Sequence, residues 1–155
     1  MTDATQLARL LREELRLQTR HCKLLEAQQR ALIACDRNTF CGLQDEYAQL
    51  LVHLEATTQA RQEAMQDEQG KAVPLAALME GLPARQQTLL AGVRDNLRRT
   101  LERAQELCRR NQQLIQNELA YIAFSLDLFV EAGRRADLRY GGSRCGGRKM
   151  LDRRA

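Results

Sequence analysis

The chain has 155 residues, of which 28% are charged, 44% are hydrophobic and 4% are aromatic, and its formal net charge is +4. This length has room for one domain, and the composition excludes a disordered chain and argues against a core built on aromatic side chains. No window approaches the roughly 18 apolar residues of a membrane span, and the first ten residues lack the basic lead and apolar run of a secretory signal. The abundance of Ala, Leu, Gln, Glu and Arg indicates long helices joined by leucine seams.

The first predicted helix spans about residues 4–35. Asp3 and Gln6 have the spacing of a capping box, so the helix begins there. Apolar residues then recur in steps of three and four without Gly or Pro. This seam consists of Leu7, Leu11, Leu15, Cys22, Leu25 and Leu32, with Leu10, Leu17 and Leu24 beside it.

The second predicted helix spans about residues 39–68 and has the most regular heptad in the chain. Polar residues from Asp36 to Asn38 separate it from the first helix, and Asn38 or Thr39 is expected to cap it. Such a short turn between two long helices predicts an antiparallel hairpin. The heptad positions are Phe40, Leu43, Tyr47, Leu50, Leu54, Thr57, Arg61 and Ala64.

A connection punctuated by Gly and Pro follows, from Gly70 to Pro83. Residues 75–80 are expected to form a short helix packed on the bundle end, and Pro83 suits the first turn of a third helix, about 84–132. Together these elements predict an all-α fold, an elongated antiparallel three-helix bundle or coiled coil, for residues 1–133.

The third helix is predicted to change character near residue 114. An apolar stripe that runs upstream continues through Ile115, Leu119, Ile122, Leu126 and Phe129. A second stripe begins on roughly the opposite face, and a helix that is apolar on two sides is packed on two sides. At 1.5 Å per residue this helix is also about 27 Å longer than the first two, so its last 18 or so residues are expected to extend past the hairpin. The second stripe consists of Leu114, Tyr121, Phe124 and Leu128, with Asn117 among them.

Residues 134–155 are predicted to form a flexible basic tail. They contain eight Lys or Arg and two Asp, a net charge of +6, and four Gly.

The residues do not predict catalysis. GGSRCGG has no strand before it and no helix after it, as a phosphate loop requires. The five cysteines are odd in number and contain no C-x-x-C, which argues against a disulfide framework or a zinc site. His21 and His53 fall on different helices and are interpreted as solvated or rim side chains. We therefore predict an interaction protein with no catalytic residues, no metal and no cofactor.

The order of four segments resembles the FlgN family, the flagellar export chaperones for the hook–filament junction proteins. The first segment, LLVHLEATTQARQEAM, ends the hairpin, and the second, VPLAALMEGLP, is the short connection. The third, RRNQQLIQNELAYIAFSL, leads into the part of the third helix that is apolar on two sides. The fourth, RYGGSRCGGRKMLDRRA, is a Tyr-Gly followed by a Gly-rich basic tail.

The resemblance implies a cytoplasmic protein that binds the C-terminal helical segments of hook-associated proteins, prevents their premature assembly and delivers them to the type III export gate. The family's substrate-binding surface corresponds here to residues 111–130, and its Tyr-Gly, implicated in docking on the cytoplasmic domain of the export gate, corresponds to Tyr140 and Gly141. The expected substrate-binding residues are Asn111, Leu114, Asn117, Tyr121, Phe124 and Leu128.

Other functions stay open at this point. The related chaperone for the filament-cap protein shares the helical design. The second stripe could also be covered by a second copy in a homodimeric scaffold, by the first helix or by the tail. A basic tail could hold nucleic acid through phosphate contacts, although it lacks interleaved aromatic residues beyond Tyr140 and no nucleic acid is expected.

Overall fold

The computed structural model describes residues 4–67 and 69–140, and these residues are mainly helical. They contain no strand and one isolated antiparallel bridge, between Gln66 and Ala72. The prediction of an all-α bundle with a short connecting helix is confirmed. The helices are α1 (Ala4–Ile33), α2 (Arg37–Ala64), α3 (Leu75–Glu80) and α4 (Ala84–Tyr140).

The chain divides into two structural units, Met1–Leu114 and Ile115–Ala155. The described part of the first unit contains α1, α2, α3 and residues 84–114 of α4. The described part of the second unit is the remainder of α4. Every described residue that is buried lies in the first unit.

Helices α1 and α2 form the predicted antiparallel hairpin. Glu14 of α1 pairs with Arg61 of α2, whereas Arg20 pairs with Glu46, so residue numbers fall along α2 as they rise along α1. Helix α4 runs parallel to α1, because the Cys22 thiol donates to the Thr100 carbonyl at 3.5 Å and Glu26 pairs with Arg103 one turn further along.

The turn between α1 and α2 differs in detail from the expectation. Cys35 has a φ of 53°, the left-handed conformation that often ends a helix. Asp36, and not Asn38 or Thr39, caps α2. Its carboxylate accepts from the Thr39 amide at 3.1 Å and from the Thr39 hydroxyl at 2.7 Å. The two acceptor oxygens of a carboxylate satisfy both donors, so the acidic residue is the better cap here.

Leucine seams from α1, α2 and α4 form the core of the first unit in three clusters. One lies between α1 and α2, and the other two lie between α1 and α4. Because α1 contributes to all three, it is the most buried helix. The clusters are Leu17, Leu24, Leu50 and Leu54, then Leu7, Leu11, Leu90 and Leu97, then Cys22, Leu25, Ala104 and Leu107.

The connection between α2 and α4 closes one end of this core. Asp67 organises its turn, since the carboxylate accepts from the amides of Gln69 and Lys71 at 2.9 and 2.8 Å. Helix α3 has six residues, of which three are exposed, yet its apolar side chains pack on the cluster around Leu7, as predicted. These side chains are Leu75, Leu78 and Met79, followed by Leu82.

A row of polar side chains on α1 is buried, and it includes His21, which was predicted to be a solvated or rim side chain. Glu14 is 3% exposed and His21 is 8% exposed. His21 shares hydrogen bonds with Gln18 through Nδ1 at 3.1 Å and with the Tyr47 hydroxyl through Nε2 at 3.4 Å. These partners satisfy the imidazole, as a buried polar group requires.

The burial of His21 predicts a loss of stability in mild acid. Burial lowers the pKa of His21 below the usual 6.5. The unfolded chain therefore binds the proton first as the pH falls, so the contribution of His21 is complete above about 6.5 and is lost between there and the lowered folded pKa. Thermal melts at about pH 7.5 and about pH 5 test this prediction. We expect the melting temperature of His21→Gln to fall less between these two pH values than that of the unmodified chain. His53→Gln, on exposed α2 surface, is the control and should follow the unmodified chain.

Helix α4 continues eight residues beyond the predicted end at 132, through Gly133 to Tyr140. A single glycine costs a helix about 1 kcal/mol. Glu131 spans it with ion pairs to Arg134 and Arg135, at 3.9 and 3.1 Å, one turn further along. The predicted tail therefore begins as helix, and its remainder, residues 141–155, lies outside the described residues. No helix within 4–67 or 69–140 is long and apolar enough to cross a membrane.

Candidate partner-binding surface

Asn111 was expected to contact a substrate, but the structure places it inside the first unit. It is 6% exposed, and its amide donates to the Leu25 carbonyl of α1 at 2.9 Å. Its Oδ1 atom is buried without a hydrogen-bond partner in the described part of the chain. The hydrogen bond to the Leu25 carbonyl explains why an amide at this position turns inward, toward α1. In this conformation Asn111 holds α4 against α1, and it does not offer its amide to another protein.

This burial gives Asn111 an expected effect on stability. Asn111→Asp replaces the donor with a carboxylate at a position that is 6% exposed, and should lower the free energy of unfolding by about 2–4 kcal/mol. Asn111→Leu removes the unpartnered oxygen together with the hydrogen bond, and should change it by no more than about 1 kcal/mol. Urea denaturation followed by circular dichroism measures both. If the unmodified protein and both variants unfolded at the same urea concentration, the Asn111 side chain would have to lie in solvent.

The second unit presents the rest of the second stripe in solvent. Tyr121 is 68% exposed, Phe124 is 60% exposed and Leu128 is 55% exposed. These three residues form a continuous face and are called the tyrosine stripe. Asn117, beside them, is exposed as well, whereas Leu114 belongs to the first unit and is half-buried. The predicted set is therefore divided, and four of its six members lie in the second unit.

The opposite face of this helix is exposed too, which the sequence did not predict. These residues were expected to continue the buried seam of α4. In the second unit the described chain is a single helix, and no other element of that unit covers them. They are called the isoleucine stripe, and they are Ile115, Leu119, Ile122, Leu126 and Phe129, with exposed fractions between 36% and 76%.

Polar residues separate the two stripes on both sides. At about 100° per residue, Glu118 and Ser125 fall in the narrower gap, and Gln116 and Asp127 fall in the wider one together with two alanines and one valine. The Ser125 hydroxyl donates to the Tyr121 carbonyl of its own helix at 2.9 Å. Glu118 and Asp127 have no ion pair within the described residues, and they are the only charged residues between 111 and 130. The surface is therefore apolar with an acidic border.

Such a surface is suited to protein association and not to catalysis. Two broad apolar faces without a concave, polar centre match a helix that packs on other helices. Among residues 4–67 and 69–140, no three His, Cys, Asp or Glu side chains come together in a way that could hold a metal ion.

The Tyr-Gly pair that is expected to dock on the export gate lies at the limit of the described residues. Tyr140 is the last residue of α4, and Gly141 lies outside the described residues.

A family comparison agrees with this architecture. No curated protein and no solved structure matches the chain. A family profile described as FlgN protein matches residues 1–144, a span that includes all four helices and both stripes. Because this match covers most of the 155 residues, the chain belongs to the FlgN family, the chaperones of flagellar protein export.

Proposed function

We propose that this chaperone binds the C-terminal helical segments of hook-associated proteins through the tyrosine stripe, prevents their premature assembly and delivers them to the export gate. The observation that carries the proposal is the exposure of Tyr121, Phe124 and Leu128 on one face of the helix in the second unit. Membership of the FlgN family supports the class of partner.

The chemistry of the tyrosine stripe suits a helical partner. Segments that assemble as coiled coils carry leucine-type seams, which are exposed before assembly. Tyr121, Phe124 and Leu128 follow the spacing of three and four residues that an amphipathic helix recognises in a groove or on a facing helix. Association then covers exposed apolar surface on both proteins, which stabilises the complex and prevents each from aggregating.

Titration with purified hook-associated proteins tests the proposal. Calorimetry gives the affinity, and gel filtration with light scattering gives the mass of the complex. A complex that is lost when the C-terminal helix of the partner is deleted supports the proposal. The filament-cap protein serves as a comparison, and tighter binding to it than to either junction protein would reassign the partner. An absence of binding to all of them would contradict the proposal.

Delivery is proposed to use Tyr140 and Gly141, in the cytoplasm. Tyr140 is the last residue of the long helix and Gly141 follows it in the sequence. An aromatic ring can supply a large apolar contact, and a glycine permits close approach of a partner to the backbone.

Tyr140→Ala should leave binding of hook-associated proteins within about twofold and reduce their export at least about tenfold, as expected for an aromatic anchor. Secreted protein is measured in culture medium, and binding by calorimetry. Tyr140→Phe is the matched control, and it should retain most export if the ring supplies the contact. Normal export by the alanine variant would exclude this role.

A further inference from the structure

The isoleucine stripe has no part in the proposed function, although it is the larger of the two apolar faces. Its five side chains expose on the order of 500 Å², at about 200 Å² for a fully exposed large apolar side chain. The largest apolar patch on a typical monomer is about 300–600 Å², so this face alone reaches the size that marks an interaction surface.

A single helix cannot cover both stripes. Placed at about 100° per residue, the mean directions of the isoleucine and tyrosine stripes are roughly 145° apart. A helix packs along a stripe about 100° wide, so one partner helix reaches one stripe and leaves the other in water.

The area also favours two partner helices. A standard protein interface buries about 800 Å² on each partner. The tyrosine stripe exposes on the order of 400 Å² by the same arithmetic, and both stripes together on the order of 900 Å². Only the two stripes together reach the area of a standard protein interface.

The charges disfavour a second copy of this chain as the occupant. Between residues 111 and 130 the only charged groups are Glu118 and Asp127, one in each gap, and neither has an ion pair in the described part of the chain. A second copy would bring carboxylates against carboxylates, whereas a partner with Lys or Arg beside its apolar seam would pair with both.

We propose that residues 115–130 are clasped by two amphipathic helices of one partner chain, one on each stripe, with basic residues at their borders. This inference rests on the proposed function, since the partner is the same. A single chain is favoured because, once its first helix is bound, the second binds at the high effective concentration set by the connecting turn. Two separate chains would lose translational and rotational freedom twice.

Matched charge substitutions test the two faces. Leu119→Glu with Leu126→Glu changes the isoleucine stripe, and Phe124→Glu with Leu128→Glu changes the tyrosine stripe. Gln116→Glu adds a carboxylate in the polar gap as the control. In calorimetric titration of the full chain with the C-terminal segment of a hook-associated protein, each double variant should weaken binding at least about 100-fold and the control less than about twofold.

Isoleucine methyl groups report the isoleucine stripe directly. The chain contains three isoleucines, of which Ile115 and Ile122 lie in this stripe and Ile33, 68% exposed on α1, provides a reference. The conservative Leu128→Ile adds a fourth probe on the tyrosine stripe. Methyl spectra recorded during the titration should show shifts at Ile115, Ile122 and the new probe, at a stoichiometry of one to one.

Each outcome separates this inference from the proposed function. If the unmodified chain forms no complex, the proposed function itself is wrong. A complex that depends on the tyrosine stripe alone, with Ile115 and Ile122 unmoved, leaves the proposed function intact and overturns the inference. Two partner chains per chaperone also overturn it. So does a homodimer whose Ile115 and Ile122 signals change on dilution and not on addition of partner, since a second copy then covers the stripe.

Discussion

Phe124→Glu is expected to raise the dissociation constant for a hook-associated protein at least about 100-fold, which corresponds to about 2.7 kcal/mol. The substitution removes an aromatic side chain that is 60% exposed in the free protein and places an unpaired charge against an apolar seam. Calorimetric titration of both proteins measures the change. Leu128→Glu, one turn away on the same stripe, should have an effect of the same size.

The free chaperone should tolerate this substitution. Because Phe124 contacts solvent in the second unit, its replacement should leave helix content unchanged and shift the melting midpoint by no more than about 2 °C, as for an ordinary surface change. Gln116→Glu is the control for added charge. Binding within about threefold of the unmodified protein would remove Phe124 from the interface, and a collapse of helix content would make the loss of binding structural.

Arg61→Met is expected to have a large effect on stability. The guanidinium donates to Glu14 through Nε at 2.6 Å and through Nη2 at 3.5 Å, and the Thr58 hydroxyl donates to the same carboxylate at 3.2 Å. The Glu14 side chain is 4% exposed and that of Arg61 is 23% exposed. Removal of the cation leaves a buried carboxylate without its counter-ion, which should lower the free energy of unfolding by about 3 kcal/mol.

A double-mutant cycle separates the pair from the packing around it. Glu14→Leu combined with Arg61→Met replaces both charges with apolar groups, and such replacements are often neutral. We expect the double variant to recover most of the stability that Arg61→Met loses, measured by urea denaturation. A loss below about 1 kcal/mol for Arg61→Met would mean that water already solvates Glu14, because exposed pairs contribute no more than that.

Periodicity predicted the helices and most of the core. The seam through Leu7 and Leu11 and the heptad through Leu50 and Leu54 are buried where the spacing placed them. The packed connection after α2 was predicted as well, because its leucines alternate with breakers that confine them to one or two turns. These features depend on local sequence, and they survive folding because packing and propensity agree.

The buried polar row on α1 could not be read from spacing. Glu14 and His21 lie beside apolar positions, as solvated residues on many helices do. Their burial depends on Arg61 and Tyr47, which come from another helix about 47 and 26 positions further along the chain. A pattern on one helix does not reveal such partners.

The candidate surface was predicted in part for a related reason. Periodicity identified two apolar faces near residue 114 but not what covers either of them. The isoleucine stripe was assigned to the interior because it continues the seam through Leu97 and Ala104, yet it is exposed in the structure. Conversely, Asn111 was expected at the substrate surface because the family resemblance placed that surface at residues 111–130, although α1 buries it.

The parallel pairing of α1 with α4 has a consequence for folding during synthesis. Hairpin contacts such as His21 with Tyr47 join residues 26 apart, whereas Cys22 contacts a residue 78 positions further along the chain. Loop closure is easier for the shorter separation, so the hairpin is expected to form first. At about 5–20 residues per second, the face of α1 that α4 will cover waits about 4–16 seconds for its partner to leave the ribosome. A nascent chain of this chaperone therefore exposes its own leucine seam for that interval.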